Sequence, residues 1–142
     1  MLVSFDFDST LTRPVKQSAA WMETSIWESS TEPRPEAVQR AKELAAEGHD
    51  VIVVTSRSAT NATEVFDCLN EHRLDVDAVK FTDDELKADT LSNLGVDVHF
   101  DDAFCELEAI EETDVTGKIV PHPHDLNENP DRVEQFDKAD FV

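Results

Sequence analysis

Cysteine is scarce in this 142-residue chain, which holds only Cys68 and Cys105. They fall in separate helical stretches and lack the spacing of a metal site. A chain of this length buries about two-thirds of its unfolded surface and needs no disulfide staples. Both are expected to be buried thiols in a reducing compartment. Long apolar runs are missing too. None approaches the ~18 residues of a membrane span. Met1 leads straight into an apolar stretch with no basic leader, so the expectation is a soluble, cytoplasmic protein with no membrane partner. The third shortage is positive charge, with 12 Lys plus Arg against 32 Asp plus Glu and a formal net charge of −20. No basic patch can form, which excludes a non-specific grip on nucleic acid. The acids are spread through stretches that also carry apolar stripes, unlike an acidic disordered tail. Self-repulsion on that scale destabilises a compact state at low ionic strength, and salt screens it. The composition therefore suggests a halophilic, high-salt cytoplasm. Internal repeats and low-complexity segments are absent.

What is present is an alternation of strands and helices. Leu2, Val3 and Phe5 read as a buried strand. Residues 35–47 form an amphipathic helix with Ala37, Val38, Ala41, Leu44 and Ala45 on its apolar face, Pro35 near its start and Gly48 after its end. Residues 51–54 are a continuous apolar run, as in a central parallel strand. A helix follows over 60–73 with Val65, Phe66 and Leu69 inward, then a strand over 76–81. Asp83 or Asp84 can cap a helix running to Leu94, with Leu86, Leu91 and Leu94 buried. Residues 96–100 alternate and read as a strand. Phe104, Leu107 and Ile110 mark the next helix, and 118–120 a fifth strand. A tail over 121–142 holds a last helix, 130–137, capped by Asn129. The pattern predicts an α/β, doubly wound, mainly parallel five-stranded sheet with helices on both faces.

In such sheets ligands bind outside the carboxyl ends of the strands. Those ends carry Asp6 and Asp8, Thr55 and Ser56, and Asp101 and Asp102. Asp6 and Asp8 are two residues apart, so both side chains can leave the strand on one side. Carboxylates crowded there repel and lose hydration, and a divalent cation with oxygen ligands relieves them. A carboxylate can act as a nucleophile and a second one as acid and base. A hydroxyl with nearby N–H groups can hold phosphoryl oxygens, and a lysine with a magnesium ion can neutralise developing charge.

Asp6-Phe7-Asp8-Ser9-Thr10 after the first strand, Val53-Val54-Thr55-Ser56-Arg57 at the end of a hydrophobic strand, and Phe100-Asp101-Asp102 at the end of a later one resemble three motifs of the haloacid dehalogenase-like (HAD) phosphohydrolase superfamily. The superfamily's remaining motif is a lysine upstream of the acidic pair. Lys87 suits it, and Lys80 is the alternative. The resemblance covers about residues 1–120 and implies that residues 1–142 form a single HAD-like domain of Rossmann type, and Ser9 departs from it where many phosphatase members have glycine. It implies a magnesium-dependent phosphatase acting on a phosphomonoester through an aspartyl-phosphate. Asp6 would be nucleophile and magnesium ligand, and Asp8 the general acid and base, lending its carbonyl to the metal. Thr55 and Ser56 would bind phosphate, Lys87 would hold Asp6 and phosphate, and Asp101 with Asp102 would ligate Mg2+.

Residues 13–33 hold Trp21 and Trp27 and read as a flap over the sheet end, with a short helix at 19–22. Few residues remain between the motifs for a large cap, so the member looks minimally capped. An open site suits a bulky substrate, a cap lent by another subunit of an oligomer, or a flap closing over a small phosphorylated substrate. Arg57, Trp21 and Trp27 are candidate substrate contacts, although Arg57 can equally pair with surface acids. His122 and His124 flank Pro123 beyond the fifth strand, where a solvated loop, a substrate edge or a zinc pair lacking a third ligand are the readings. His49, His72 and His99 show no partner in the sequence. Two alternatives of another class are a non-catalytic phospho-acceptor and a HAD-like binding module.

Overall fold

The computed structural model describes residues 1–17 and 26–142. Strand β1 (Leu2–Phe5) lies at the centre of a sheet. β4 (Asp50–Thr55) and β6 (Val98–Asp101) flank it, and β5 (Ala78–Phe81) and β7 (Thr116–Ile119) form the edges. The order is β5-β4-β1-β6-β7 and every pairing is parallel. Helices α1 (Pro35–Ala46), α2 (Ala62–Glu71), α3 (Ala88–Leu94) and α4 (Phe104–Ile110) connect the strands. Alternation along β4 separates two apolar layers. Val51 and Val53 pack with Ala37, Val38, Ala41 and Leu44 of α1 and with Val65 and Leu69 of α2. Ile52 and Val54 pack with Leu91 of α3 and with Leu107 and Ile110 of α4. A parallel strand covered on both faces must be apolar throughout, which is why 51–54 has no polar position. The α/β doubly wound sheet has the form that the sequence predicts. The edge strand β7 comes so close to α4 that a Cβ on Gly117 would stand 2.8 Å from Ile110 Cδ1 and 2.9 Å from Leu107 Cδ2.

Several local expectations change. α3 does not start at Asp83 or Asp84, because both are left-handed, with φ of 52° and 64°. They form a turn whose N–H groups bond back to Arg57 O and Ser56 O, tying the end of β5 to the loop after β4. Leu86 sits in that turn and is 56% exposed instead of buried. Phe66 is on the outer side of α2, which begins after a short 3-10 turn (Ala59–Asn61) capped by Ser58. Cys68 is buried, but Cys105 is exposed. The tail holds two short helices, α5 (Pro123–Glu128) and α6 (Pro130–Val133), in place of one. Asn129 caps neither with its side chain, which donates to Asp125 instead. Between the first turn and α1, β2 (Val15–Gln17) pairs antiparallel with β3 (Ile26–Glu28), which includes Trp27. The helix expected at 19–22, with Trp21, lies outside the described residues. Among the described residues no helix is long and apolar enough to cross a membrane.

Candidate active site

The carboxyl ends of β1, β4 and β6 are level, because Phe5 pairs with both Val53 and Phe100. Asp6 follows β1 and remains tied to β6 through its N–H to Phe100 O at 2.8 Å. The chain then turns tightly over Phe7–Leu11, with Asp8 extended and Ser9 left-handed at φ 63°. A serine there carries a steric cost that a glycine avoids. The turn folds Thr10 back so that its hydroxyl donates to Asp6 Oδ2 at 3.2 Å.

Lys87 lies immediately before α3 and is 2% exposed. Its Nζ donates to Asp6 Oδ1 at 2.9 Å and to Asp101 Oδ2 at 2.7 Å. Its own N–H is held by Glu106 of α4. Lys80 is exposed on β5. Asp101 is fully buried and bonded on both oxygens, by Lys87 and His99 on Oδ2 and by the Ala103 N–H on Oδ1. His99, without a visible partner in the sequence, is buried between Asp101 Oδ2 at 2.8 Å and Ser4 Oγ at 2.6 Å. Since Nε2 faces a carboxylate, it carries the proton, and Nδ1 accepts from the serine hydroxyl.

Asp6, Asp101 and Asp102 can each offer one oxygen such that all lie within 4.8 Å of one another. Their electrostatics diverge. Burial, and then the charge of Asp101, push Asp6 up to about 6 against the pull of Lys87. Burial, then Asp6 and Asp101, push Asp102 up to about 10. Burial also acts on Asp101, but Lys87 and His99 outweigh it and hold that carboxyl well below the usual range. Burial opposes the charge of Lys87, yet Asp6 and Asp101 overcome it and raise the ammonium's proton affinity. One lysine thus faces three clustered carboxyl groups. That hard, oxygen-only and under-neutralised donor set fits a divalent cation such as magnesium.

Asp8 points elsewhere. Arg57 grips it with a two-pronged fork, Nε to Oδ2 at 2.7 Å and Nη2 to Oδ1 at 2.8 Å. Arg57 also reaches Glu64 at 3.3 Å and lies over the Phe7 ring. The hydrogen bonds that Arg57 donates to Asp8 raise the guanidinium's proton affinity despite burial. Arg57 therefore pairs with acids in this structure. Thr55 is buried at the end of β4, its Oγ1 accepting from the Arg57 N–H, and Ser56 follows it, half-buried. His122 Nδ1 accepts from the His124 N–H, and neither histidine belongs to the ligand cluster found among the described residues. The sequence reading placed Thr10 in the first motif without a role, and it did not single out Ser4, Glu106 or Arg34. Arg34 donates Nη2 to Ser9 O at 3.0 Å and so braces the turn after Asp8.

This geometry can be set beside known proteins. A family model described as "PITM 1-3, LNS2 domain" matches residues 3–95, which takes in Asp6, Asp8, Thr55, Ser56 and Lys87. A crystal structure of a hypothetical protein from Xanthomonas campestris is similar at a TM-score of 0.55 and 17% identity, over 96% of this chain and 70% of that one. That likeness concerns the fold. No curated protein matches the chain. The motifs pointed to HAD phosphohydrolases at large and the composition to a halophile, and both readings are corrected. The matching family is narrower, the LNS2 domain, which lies within the HAD-like superfamily and is phosphatase-related. Nothing in the comparisons supports a halophile, and an excess of acid reports solubility and self-repulsion, not habitat. The model spans more than half of the chain and runs from β1 to the end of α3: the chain belongs to the LNS2 domain family.

Proposed function

We propose that the protein is a magnesium-dependent phosphatase that hydrolyses a small phosphomonoester through an aspartyl-phosphate on Asp6. The observation that carries this reading is Asp6 held between Lys87 and Thr10, beside Asp101 and Asp102. Asp6, Asp101 and Asp102, with the Asp8 carbonyl, would hold Mg2+, which supplies positive charge against the incoming phosphoryl group. Asp6 attacks phosphorus and the bond to the leaving oxygen breaks, while Asp8 gives that oxygen its proton. Asp8 then takes a proton from water, whose oxygen displaces Asp6 and releases phosphate. Lys87 stays charged throughout and absorbs the negative charge that builds on the transferring group. Thr55 and the Ser56 N–H, at the end of β4, hold the phosphoryl oxygens.

The Arg57 fork favours one second reading. Both oxygens of Asp8 accept from Arg57, so the fork must open for that carboxyl group to reach a leaving group. A site in which it stays closed would be a phospho-acceptor or a binding module. Phosphate release from a panel of phosphomonoesters with magnesium separates the two. Asp6→Asn should abolish release without loss of helical signal by circular dichroism. Borohydride trapping followed by mass spectrometry should place the phosphoryl group on Asp6. Normal turnover by Asp6→Asn would refute the mechanism.

A further inference from the structure

A cavity of about 540 Å³ opens beside the catalytic turn, between Arg13, Val15, Arg34, Glu36 and Pro123. Arg34 joins it to the site. Its N–H bonds Leu11 O at 2.7 Å and its Nη2 bonds Ser9 O at 3.0 Å, so it is anchored to both ends of the segment after Asp8. Its guanidinium lies in the field of Asp102 and Glu36, although burial weakens its hold on the proton. Its Nε is buried and has no hydrogen-bond partner among the described residues. A guanidinium carries five donors, and buried donors are nearly always satisfied. The other cation that lines the cavity, Arg13, is committed to Glu32 through both Nε and Nη2. His122 feels the charge of Arg34, and the two histidines flank the lining residue Pro123.

In a chain of net charge −20, a half-buried arginine that lines an open cavity and is tied to the turn after Asp8 calls for an anion. The phosphoryl group itself belongs between Asp6, Lys87 and Thr55, so the anion at Arg34 must be a different one. We infer that this cavity is the leaving-group subsite and that Arg34 selects phosphomonoesters whose leaving group carries a second anionic group, a carboxylate or a further phosphate. The fork geometry of arginine matches either one. This rests on the phosphatase reading for its name, but the recognition it describes can be measured without turnover.

The test is calorimetric binding, with magnesium present, of glycerol phosphate, phosphoglycerate and glycerol 1,3-bisphosphate. These share a three-carbon skeleton and differ in whether the second group is neutral, carboxylate or phosphate. At least one of the two doubly anionic ligands should bind about tenfold more tightly than glycerol phosphate, and the tighter of them names the anion. Arg34→Gln should bring all three within about threefold of one another, and Arg34→Lys should keep part of the preference, with charge but no fork. Circular dichroism checks both variants, and the lysine variant decides if the glutamine one does not fold. Equal affinities in the wild type, no binding of any ligand, or a preference that survives Arg34→Gln would overturn the subsite. Preference without phosphate release leaves the subsite standing and removes the hydrolase. Release without preference removes the subsite alone.

Discussion

Lys87→Met would test whether the centre is an electrostatic assembly. The lysine is 2% exposed and joins Asp6 Oδ1 at 2.9 Å to Asp101 Oδ2 at 2.7 Å. Methionine keeps the length and apolar stem but leaves both carboxylates without a counter-charge. Breaking a buried pair by removing one partner costs about 3–5 kcal/mol. Extra apolar burial offsets roughly 1 kcal/mol of that, so about 2–4 kcal/mol should be lost at neutral pH. At roughly 3 °C per kcal/mol for a chain of this size, the melting temperature should fall by about 6–12 °C. The sign of the pH dependence follows from Asp101. Its carboxyl is held below its ordinary value in the wild type, so it contributes stability above the unfolded value that is lost as the pH falls. The variant lacks that contribution, and its crowded carboxyls relax by taking up protons. The gap between variant and wild type should therefore narrow on acidification, and magnesium should narrow it at neutral pH by replacing the missing positive charge. Calorimetric melts in chelator, at neutral and at acidic pH, measure it. A deficit below about 1 kcal/mol, or one that does not change on acidification, would refute the electrostatic account.

Magnesium binding near neutral pH should release about one proton per ion, because Asp102, raised to about 10 in the metal-free centre, must ionise to serve as a ligand. Titration calorimetry in two buffers of different ionisation heat reads that number, and the absence of release would remove Asp102 from the ligand set. Gly117→Ala should cost about 1–3 kcal/mol by overpacking, since its Cβ would meet Ile110 Cδ1 at 2.8 Å. Urea unfolding measures the loss, and unchanged stability would mean that α4 can move away from β7 freely.

The strands were the most legible part of the fold, because a buried parallel strand needs an unbroken apolar run and β4 supplies one. Helix boundaries were less legible. Asp83 and Asp84 have the composition of an N-cap, but consecutive left-handed backbone, bonded to Ser56 O and Arg57 O, is a tertiary outcome. Leu86 and Phe66 show the same limit: an apolar residue at a plausible period need not face the core when its helix starts late or rotates. Cys105 is exposed although its type is usually buried.

For the site, period-two alternation and the strand-end rule named who stands at the edge, but not who holds whom. Asp6, Asp8, Thr55, Ser56, Asp101 and Asp102 follow from position alone. The pairings span 49 residues for Arg57 with Asp8, 81 for Lys87 with Asp6 and 95 for Ser4 with His99, and they depend on the order of strands in the sheet. β6 lies beside β1, with Ser4 opposite His99 in register. A serine and a histidine that look unrelated in the chain thereby become the support behind Asp101. The same order explains the role of the scarce cations. With β4 on one side of β1 and β6 on the other, Arg57 reaches Asp8 from the first side, while Lys87, entering α3, reaches between Asp6 and Asp101. Each is fixed on a carboxylate by a hydrogen bond, so its charge is directional and hardly screened, as a general salt atmosphere is not. A chain at −20 can then crowd Asp6, Asp101 and Asp102 together because Lys87 compensates them locally, within bonding distance of two of the three.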